Sequence, residues 1–327
     1  MIKNIFVTGG AGYVGSALIP KLLSSGYNVT VYDLMIYGDP FLKKTKNLKI
    51  VKGDLRDIKF LEKHLVDQDC VIHLACISND PSFELNPSLG KEINLDSFEP
   101  LVKAAKKNKI KRFIYASSSS VYGIKKTKSV DEEMLLEPLT DYSKYKAECE
   151  KILINFNSDS FTTTILRPAT VCGYAPRLRL DVVVNILTNL AYNKREITVF
   201  GGDQLRPNIH INDMVEAYIK VLQAPSELIS GEIFNVGSDN HSVNHLARSV
   251  KKIIGEDVEV VNVKSNDDRS YHISSKKIEK ILNFKTNFLV EDAIKDLKKA
   301  FDNNLVPDSL NDDKYFNIKT MKKINLK

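Results

Sequence analysis

The chain has 327 residues, of which 43% are hydrophobic and 27% charged, a composition typical of a globular protein with a large core. Its net charge of +6 comes from lysines scattered along the chain, and no basic stretch is interleaved with aromatic residues, which excludes the usual nucleic-acid-binding modules. No hydrophobic run reaches membrane-spanning length, and residues 5–7 enter a strand directly, without a signal-peptide pattern. We therefore expect a cytoplasmic protein with no membrane or nucleic-acid partner.

The cysteines do not form a recognisable pattern. Neither a Cys-x-x-Cys pair nor a group of cysteines and histidines occurs around Cys70, Cys76, Cys149 and Cys172. We expect four reduced packing residues and no metal site.

The first strand and helix enclose a glycine motif. Residues 5–7 form the short apolar run of a buried parallel strand, and residues 16–25 continue with helical spacing. In the intervening Gly9-x-x-Gly12-x-x-Gly15, Gly9 permits a tight turn, Gly12 lets a diphosphate approach the backbone, and Gly15 allows close packing of helix and strand. The free N–H groups and the positive end of the helix dipole would face the anion. This arrangement predicts a dinucleotide-binding site.

The next strand indicates which dinucleotide is bound. Residues 27–32 end on Asp33, about 20 residues beyond the glycine loop, as a dinucleotide site requires. A carboxylate here accepts hydrogen bonds from the adenosine ribose hydroxyls and repels a 2′-phosphate. Since residues 34–37 contain no arginine or lysine to pair with such a phosphate, the sequence favours NAD over NADP.

A third strand is predicted over residues 48–55, with an acidic residue close to its end. We expect Asp54 and Leu55 to flank the adenine ring, and Asp54 could also cap the helix predicted over residues 58–65. The two roles are compatible.

Two further strands are predicted over residues 70–76 and 112–116, separated by an amphipathic helix over residues 94–107. Strands alternating with helices predict an α/β fold with a Rossmann-type, doubly wound parallel sheet. His73 in the fourth strand is interpreted as a packed core imidazole.

Hydroxyl groups follow the fifth strand, where a sheet of this type places its ligand: residues 117–120 are four consecutive serines. In the next helix, over residues 142–155, Tyr142 and Lys146 are one turn apart and share a face. Taken singly, the four serines would be interpreted as an ordinary serine-rich loop, and Tyr142 with Lys146 as an exposed pair on a helix. Their occurrence together after the glycine motif favours a catalytic site.

These motifs together resemble the extended short-chain dehydrogenase/reductases, and more narrowly the NAD-dependent nucleotide-sugar epimerase/dehydratase family. The resemblance is carried by residues 8–15 (Thr-Gly-Gly-Ala-Gly-Tyr-Val-Gly), 54–57, 73–75, 117–123 and Tyr142-x-x-x-Lys146. It implies that Tyr142 is the acid/base at a sugar hydroxyl, that Lys146 also holds the nicotinamide ribose, and that Ser118 bonds the reacting oxygen. A free phenol has a pKa of about 10, so Tyr142 needs a nearby cation to act as a base at neutral pH.

The resemblance also implies two sets of binding residues. The cofactor set comprises Gly9, Gly12, Tyr13, Val14, Gly15, Asp33, Asp54, Leu55, Leu74, Ala75, Asn94, Lys146 and Arg167. The substrate set comprises Ser119, Ser120, Thr170, Arg177, Arg179, Asn185, Arg206 and Arg269.

The second half of the chain fits the same family. A sixth strand over residues 163–169 precedes the exit to a smaller C-terminal α/β substrate domain, so we expect a cofactor domain over residues 1–172, rejoined by a strand near 233–237. Residues 173–327 would mainly bind the nucleotide sugar. In the family that the chain resembles, arginines at the positions of Arg206 and Arg269 reach the nucleotide phosphates. Arginine suits this role because a planar guanidinium gives paired, charge-assisted hydrogen bonds.

The chain departs from the family pattern near the expected sugar site. Thr170 stands where the epimerases usually have asparagine, and Arg177 and Arg179 add two cations near the expected substrate mouth. Residues 119–120 are serines where the dehydratases carry an Asp-Glu pair, so dehydration is disfavoured, and so is decarboxylation. The sequence does not identify the sugar or the nucleotide base.

The resemblance implies hydride transfer from sugar C4 to NAD through a 4-keto intermediate. Return of the hydride to the other face would give epimerisation. The alternatives are an NAD-dependent C4 dehydrogenase or keto-reductase of a nucleotide-activated sugar, for example a nucleotide-heptose, in surface polysaccharide biosynthesis, and more remotely a non-catalytic NAD-binding regulator. Helices 94–107 and 142–155 correspond to the four-helix interface of the family, which predicts a homodimer.

Overall fold

The computed structural model describes residues 2–326 except 44, 79, 126, 128, 265–269 and 271. The first half of the chain alternates strands with helices. Its elements are β1 (Asn4–Thr8), α1 (Tyr13–Ser24), β2 (Asn28–Asp33), β3 (Leu48–Lys52), α2 (Ile58–His64), β4 (Cys70–His73), α3 (Asp80–Glu84), α4 (Pro87–Lys91), α5 (Phe98–Lys107), β5 (Arg112–Ala116), α6 (Asp141–Phe156) and β6 (Thr162–Pro168).

The second half contributes β7 (Thr170–Cys172), α7 (Val183–Lys194), β8 (Glu196–Phe200), β9 (Leu205–His210), α8 (Ile211–Gln223), β10 (Glu232–Val236), β11 (Asp239–Ser242), α9 (Val243–Ile254), β12 (Glu259–Val263), α10 (Lys276–Leu282), α11 (Val290–Asp302) and α12 (Asn317–Ile324). Two small sheets form here, of order β11-β9-β7 and β12-β8. Across the described part of the chain, no helix is both long and apolar enough to cross a bilayer.

Seven parallel strands in the order β10-β6-β5-β4-β1-β2-β3 form the main sheet. The interior strand β1 is buried on both sides: Ile5 and Val7 belong to one hydrophobic core and Phe6 to another. The predicted Rossmann-type α/β fold is confirmed. The strand order reverses beside β1, and the carboxyl edge at such a point is where parallel sheets bind ligands.

Several boundaries differ from the sequence prediction. The helix predicted over residues 94–107 is a π-helical turn at Glu92–Asp96 followed by α5, which begins at Phe98. In that turn the Asn94 amide accepts a hydrogen bond from the Ile77 N–H and donates one to the Ile77 carbonyl. β3 and β4 end at Lys52 and His73, so residues 53–55 and 74–76 form turns at the carboxyl edge instead of continuing the strands.

Candidate active site

A cavity of about 530 Å³ opens at the carboxyl edge of the main sheet. Its wall is built by the glycine loop, the turns after β2, β3 and β4, the serine loop after β5, the start of α6 and the loop after β7. Elements that are distant in the sequence therefore meet around one space. This space lies at the position that the topology favours for a ligand.

The glycine loop is shaped by close approaches that exclude a side chain. Gly9 has φ +71°, and a Cβ there would lie 2.5 Å from the Ala75 nitrogen. A Cβ on Gly15 would lie 2.4 Å from the Gly10 carbonyl oxygen, which keeps the first turn of α1 against the loop. Because the first N–H groups of a helix have no partner within the helix, this turn offers a cradle for a phosphate. Gly12, Tyr13 and Val14 line the cavity beside Gly9 and Gly15.

Asp33 is fixed at the end of β2 by two backbone donors. Its Oδ2 accepts from the Ala11 N–H at 2.9 Å and its Oδ1 from the Met35 N–H at 2.8 Å. Burial raises the pKa of the Asp33 carboxyl, while these donors and the charge of Arg177 oppose the rise. The carboxylate lines the cavity next to the glycine loop, the position expected for recognition of a ribose diol.

Asp54 and Leu55 also line the cavity, at the turn after β3. The Arg56 guanidinium donates to both oxygens of Asp54, with 2.8 Å between Nη2 and Oδ2. Hydrogen bonds from Arg56 lower the pKa of Asp54 against the effect of burial. The cap of α2 is Asp57, whose Oδ1 accepts from the Phe60 N–H at 3.0 Å, so Asp54 does not take the capping role that the sequence left open. Across the sheet, Leu74 and Ala75 line the wall after β4.

Tyr142 and Lys146 reach the cavity from the first two turns of α6. Thr140 caps the helix, accepting from the Ser143 N–H at 3.3 Å. Lys146 is only 4% exposed, and its Nζ donates to the Ala116 carbonyl at 2.7 Å. The same Nζ lies 5.8 Å from the centre of the Tyr142 ring. The ammonium is thus fixed between the end of β5 and the phenol.

Ser118 begins a chain of hydroxyl groups that the sequence did not predict. Its Oγ lies 2.9 Å from Ser120 Oγ, and Ser143 Oγ donates to Ser120 Oγ at 3.1 Å. Ser143 Oγ is 2.8 Å from Thr140 Oγ1, so four hydroxyls connect the serine loop to the start of α6. Ser118 also accepts from the Ser120 N–H, which fixes its side chain at the cavity wall, and Ser119 lines the wall as well.

The second half of the chain contributes Thr170, Arg177, Arg179 and Arg206 to the cavity wall. The Arg179 guanidinium donates from Nε to Asp181 and from Nη1 to Ser78 Oγ at 3.1 Å. Arg269, the other predicted phosphate ligand, lies outside the described residues.

Of the predicted ligands that the structure describes, three do not line the cavity, and two of these were assigned to the cofactor. Asn94 uses both ends of its amide on the Ile77 backbone. Arg167 is paired with Glu150, with 2.7 Å between Nη2 and Oε2. Both side chains are committed to the protein interior, so the structure does not support the interpretation of either as a direct cofactor ligand.

Asn185, the third, supports the wall from behind. Its Nδ2 donates to the Arg179 carbonyl at 2.8 Å, and its Oδ1 accepts from the Gly173 N–H at 3.0 Å. The Tyr13 hydroxyl donates to the Gly173 carbonyl, and Asn185 Nδ2 lies 3.2 Å from the Tyr13 oxygen. Burial raises the pKa of Tyr13, which keeps this phenol a donor. Asn185 therefore joins the loop after β7 to α1 instead of lining the predicted substrate site.

Other lining residues were missed by sequence reasoning. Asn317, in the lysine-rich tail after residue 307, donates from Nδ2 to Ser78 Oγ at 2.9 Å and lines the cavity. Tyr37 and Asp181 line it too. No local pattern marks these residues, because each gains its position from a distant part of the chain.

The model of the NAD dependent epimerase/dehydratase family matches residues 5–237, well over half of the chain. The chain belongs to this family. The predicted family and the prediction of an NAD-dependent enzyme are thereby confirmed. The residues present fit that cofactor, since the glycine loop provides a phosphate cradle and Asp33 presents its carboxylate beside it.

The chain is similar both to epimerases and to a dehydratase of this family. An uncharacterized UDP-glucose epimerase of Bacillus subtilis is 32% identical over 271 residues, 77% of this chain and 82% of that protein. Human dTDP-D-glucose 4,6-dehydratase is 28% identical over 298 residues, 84% of this chain and 83% of that protein. The crystal structure of UDP-glucose 4-epimerase from Thermotoga maritima with UDP-glucose has a TM-score of 0.84 at 26% identity, covering 92% of this chain and 99% of that one.

Proposed function

We propose that this NAD-dependent enzyme oxidises a nucleotide sugar at C4 and returns the hydride to the opposite face, acting as a 4-epimerase. The observation that carries the proposal is that Tyr142, Lys146 and Ser118 line the same cavity as the glycine loop and Asp33. A hydroxyl-bearing carbon bound between these groups would have a proton acceptor and a hydride acceptor within one enclosed space.

The residues divide the chemistry as follows. As a phenolate, Tyr142 would take the proton of the sugar hydroxyl while the C4 hydrogen leaves as a hydride, so that the C–O bond becomes a carbonyl. Bound NAD supplies the hydride acceptor. The Lys146 ammonium stabilises negative charge on the phenol, and Ser118 donates a hydrogen bond to the reacting oxygen. Turning of the keto sugar before the hydride returns would invert C4.

The serine loop argues against a dehydratase. Eliminating water from the sugar requires an additional acid and base beside C5 and C6. The positions after Ser118 are Ser119 and Ser120, neither of which is ionised at neutral pH. Among the described lining residues, the carboxylates are Asp33, Asp54 and Asp181, and each is hydrogen-bonded away from the serine loop.

We propose that residues 1–172 hold mainly the cofactor and residues 173–327 mainly the sugar nucleotide. Arg206 and Arg269 would bind the sugar-nucleotide diphosphate, and Ser119, Ser120, Thr170 and Arg179 the sugar. The similarity to UDP-glucose epimerases makes a UDP-sugar the first substrate to test.

The hydroxyl chain favours a second candidate, a C4 dehydrogenase or keto-reductase. Net oxidation releases a proton and net reduction consumes one, whereas epimerisation returns the proton to the sugar. Ser118, Ser120, Ser143 and Thr140 would provide a hydrogen-bonded route for such a proton. This candidate therefore stays open beside the epimerase.

A panel of UDP-, GDP- and dTDP-sugars distinguishes the candidates. Product formation by NMR without a lasting rise in absorbance at 340 nm identifies an epimerase, whereas stoichiometric NADH formation identifies a dehydrogenase. Tyr142→Phe is expected to lower kcat by a factor of about 10² to 10⁴ with NAD binding intact. Turnover unchanged in Tyr142→Phe would overturn the proposed role of the phenol, and a purified protein inactive on every sugar would favour the non-catalytic regulator.

We further propose a homodimer through α5 and α6. A shallow cleft between these helices is lined by Leu95, Pro100 and Ile152 together with charged side chains, and Ile154 is 38% exposed. Light scattering should give twice the chain mass, and Ile152→Asp should shift it toward a monomer. A monomeric wild-type protein would contradict this proposal.

A further inference from the structure

Arg177 is a buried cation that lacks a carboxylate partner among the described residues. The residue is 5% exposed, and within the described part of the chain only the N–H groups on Nη2 find a protein acceptor, Asn317 Oδ1 at 2.6 Å. Its Nε is buried and has no hydrogen-bond partner in the ranges that the structure describes, and its guanidinium carbon lies 3.5 Å from the centre of the Tyr37 ring. A buried guanidinium with so few acceptors is costly unless an anion joins it.

Arg177 lies beside the glycine loop and Asp33, and this position indicates which anion it would bind. Its N–H donates to Ser16 Oγ in the first turn of α1, at 3.1 Å. It lines the cavity together with Tyr13 and Asp33, and its charge acts on the Asp33 carboxyl. Arg177 thus stands between the phosphate cradle and the ribose carboxylate, at the dinucleotide end of the cavity.

Arg179, two residues later in the same loop, provides a contrast. It has an internal carboxylate partner in Asp181 and a second acceptor in Ser78. Its electrostatic neighbours include Tyr142 and also Tyr37, the ring that Arg177 contacts. Arg179 is therefore paired with a carboxylate of the protein, whereas Arg177 is paired with none that the structure describes.

Burial lowers the pKa of Arg177 to about 10, and the neighbouring charge of Arg179 acts in the same direction. The side chain nevertheless remains a cation at neutral pH. Its direct contacts among the described residues are the Asn317 amide oxygen and the Tyr37 ring, while the carboxylates of Asp33 and Asp181 act on its charge without forming an ion pair with it. A diphosphate would supply the missing acceptors in the fork geometry that a guanidinium favours.

We propose that Arg177 binds the diphosphate of NAD, and that Asn317 at the start of α12 is a positioning residue that orients its guanidinium. The inference rests on the NAD dependence of the enzyme and not on which sugar it converts. The C-terminal helix would therefore contribute to cofactor binding through one amide, although the glycine loop lies at the opposite end of the chain.

The test compares affinities for four probes by calorimetry on nucleotide-free protein: NAD, ADP-ribose, adenosine and UDP. Arg177→Gln is expected to weaken NAD and ADP-ribose about tenfold to a hundredfold, and adenosine and UDP less than about threefold. Arg179→Gln is the matched control and should change NAD affinity less than about threefold. Weakened UDP with unchanged NAD would assign Arg177 to the sugar nucleotide and overturn the proposal, as would unchanged affinity for all four probes.

Two further variants separate binding from folding. Arg177→Met removes the unpaired cation, so the ligand-free protein should keep or raise its Tm while NAD affinity falls. Asn317→Asp gives Arg177 an internal carboxylate, so the Tm should rise and NAD should bind about tenfold or more weakly, without a comparable loss for UDP. A lowered Tm with unchanged NAD affinity in both variants would show a merely structural role.

Discussion

The guanidinium of Arg167 on β6 and the carboxylate of Glu150 on α6 form a buried ion pair, with 2.7 Å between Nη2 and Oε2. Each side chain is 3% exposed. Glu150 also accepts a hydrogen bond from Ser117, and Arg167 donates to the Tyr122 hydroxyl at 2.7 Å. Because Glu150 follows Lys146 by one helical turn, this pair attaches the helix that carries Tyr142 to the main sheet.

Removing one partner of this pair should be strongly destabilising. Glu150→Ala leaves Arg167 as an uncompensated buried charge, and the free energy of unfolding should fall by about 3–5 kcal/mol. Urea unfolding followed by circular dichroism measures this change. Glu279→Ala on α10 breaks the exposed pair with Lys285 and should cost less than about 1 kcal/mol. Equal losses in the two variants would contradict the role assigned to the buried pair.

Local motifs were sufficient to predict the sheet and much of the cavity. Gly9, Asp33 and Tyr142 could be placed because each lies at the end of a strand or the start of a helix whose hydrophobic pattern is visible. In a parallel sheet such ends converge on one edge, so their proximity follows from the topology.

Residues held by distant partners could not be predicted. Arg167 and Asn94 carry the polar groups expected of ligands, but each is used by a neighbour that becomes adjacent only on folding. Asn317 reaches the cavity because α12 packs against the wall near Ser78, which no local pattern in the tail indicates. Hydrogen-bond satisfaction in the interior is a property of the folded chain and is not visible in residue spacing.

The glycine loop makes a prediction about steric fit. Gly9→Ala combines a positive φ of +71° with a Cβ 2.5 Å from the Ala75 nitrogen, so the turn after β4 and the glycine loop must separate. Gly26 provides a matched control, since it has φ +87° but nothing within 4 Å of an added Cβ. Gly26→Ala should cost about 1–2 kcal/mol of unfolding free energy, the strain of the left-handed backbone alone. Gly9→Ala should cost clearly more and weaken NAD binding. Equal costs would show that the turn after β4 moves away without a measurable loss of stability.

His73 should make stability depend on pH. Its Nδ1 lies 2.7 Å from Thr8 Oγ1, and burial, assisted by the charge of Lys146, lowers its pKa to about 3. The neutral ring is thus favoured in the fold, whereas the unfolded chain binds a proton near pH 6.5. The contribution is complete above pH 6.5 and is lost as the pH falls toward 3, by about 2 kcal/mol at pH 5.

Unfolding in urea at pH 7.5 and pH 5 measures this contribution. The loss of stability between the two pH values should be smaller by about 2 kcal/mol in His73→Gln than in the wild type. An identical pH dependence in the variant and the wild type would show that His73 does not carry the effect.

The hydroxyl chain predicts a graded loss of activity along its length. Ser118→Ala removes a donor to the reacting oxygen, and kcat should fall about tenfold to a hundredfold with little change in KM, because the bond strengthens as charge develops. Ser120→Ala removes the group 2.9 Å from Ser118 Oγ that orients it, so a smaller loss is expected. Ser143 is one hydrogen bond further from Ser118, so Ser143→Ala should affect kcat least. Thr140→Ala removes the cap of α6 and should lower the unfolding free energy by about 1 kcal/mol. Steady-state kinetics on the substrate found in the sugar panel measures the series. Equal losses of kcat in Ser118→Ala and Ser143→Ala would mean that the hydroxyl chain acts as one proton route. That result would favour the dehydrogenase over the epimerase.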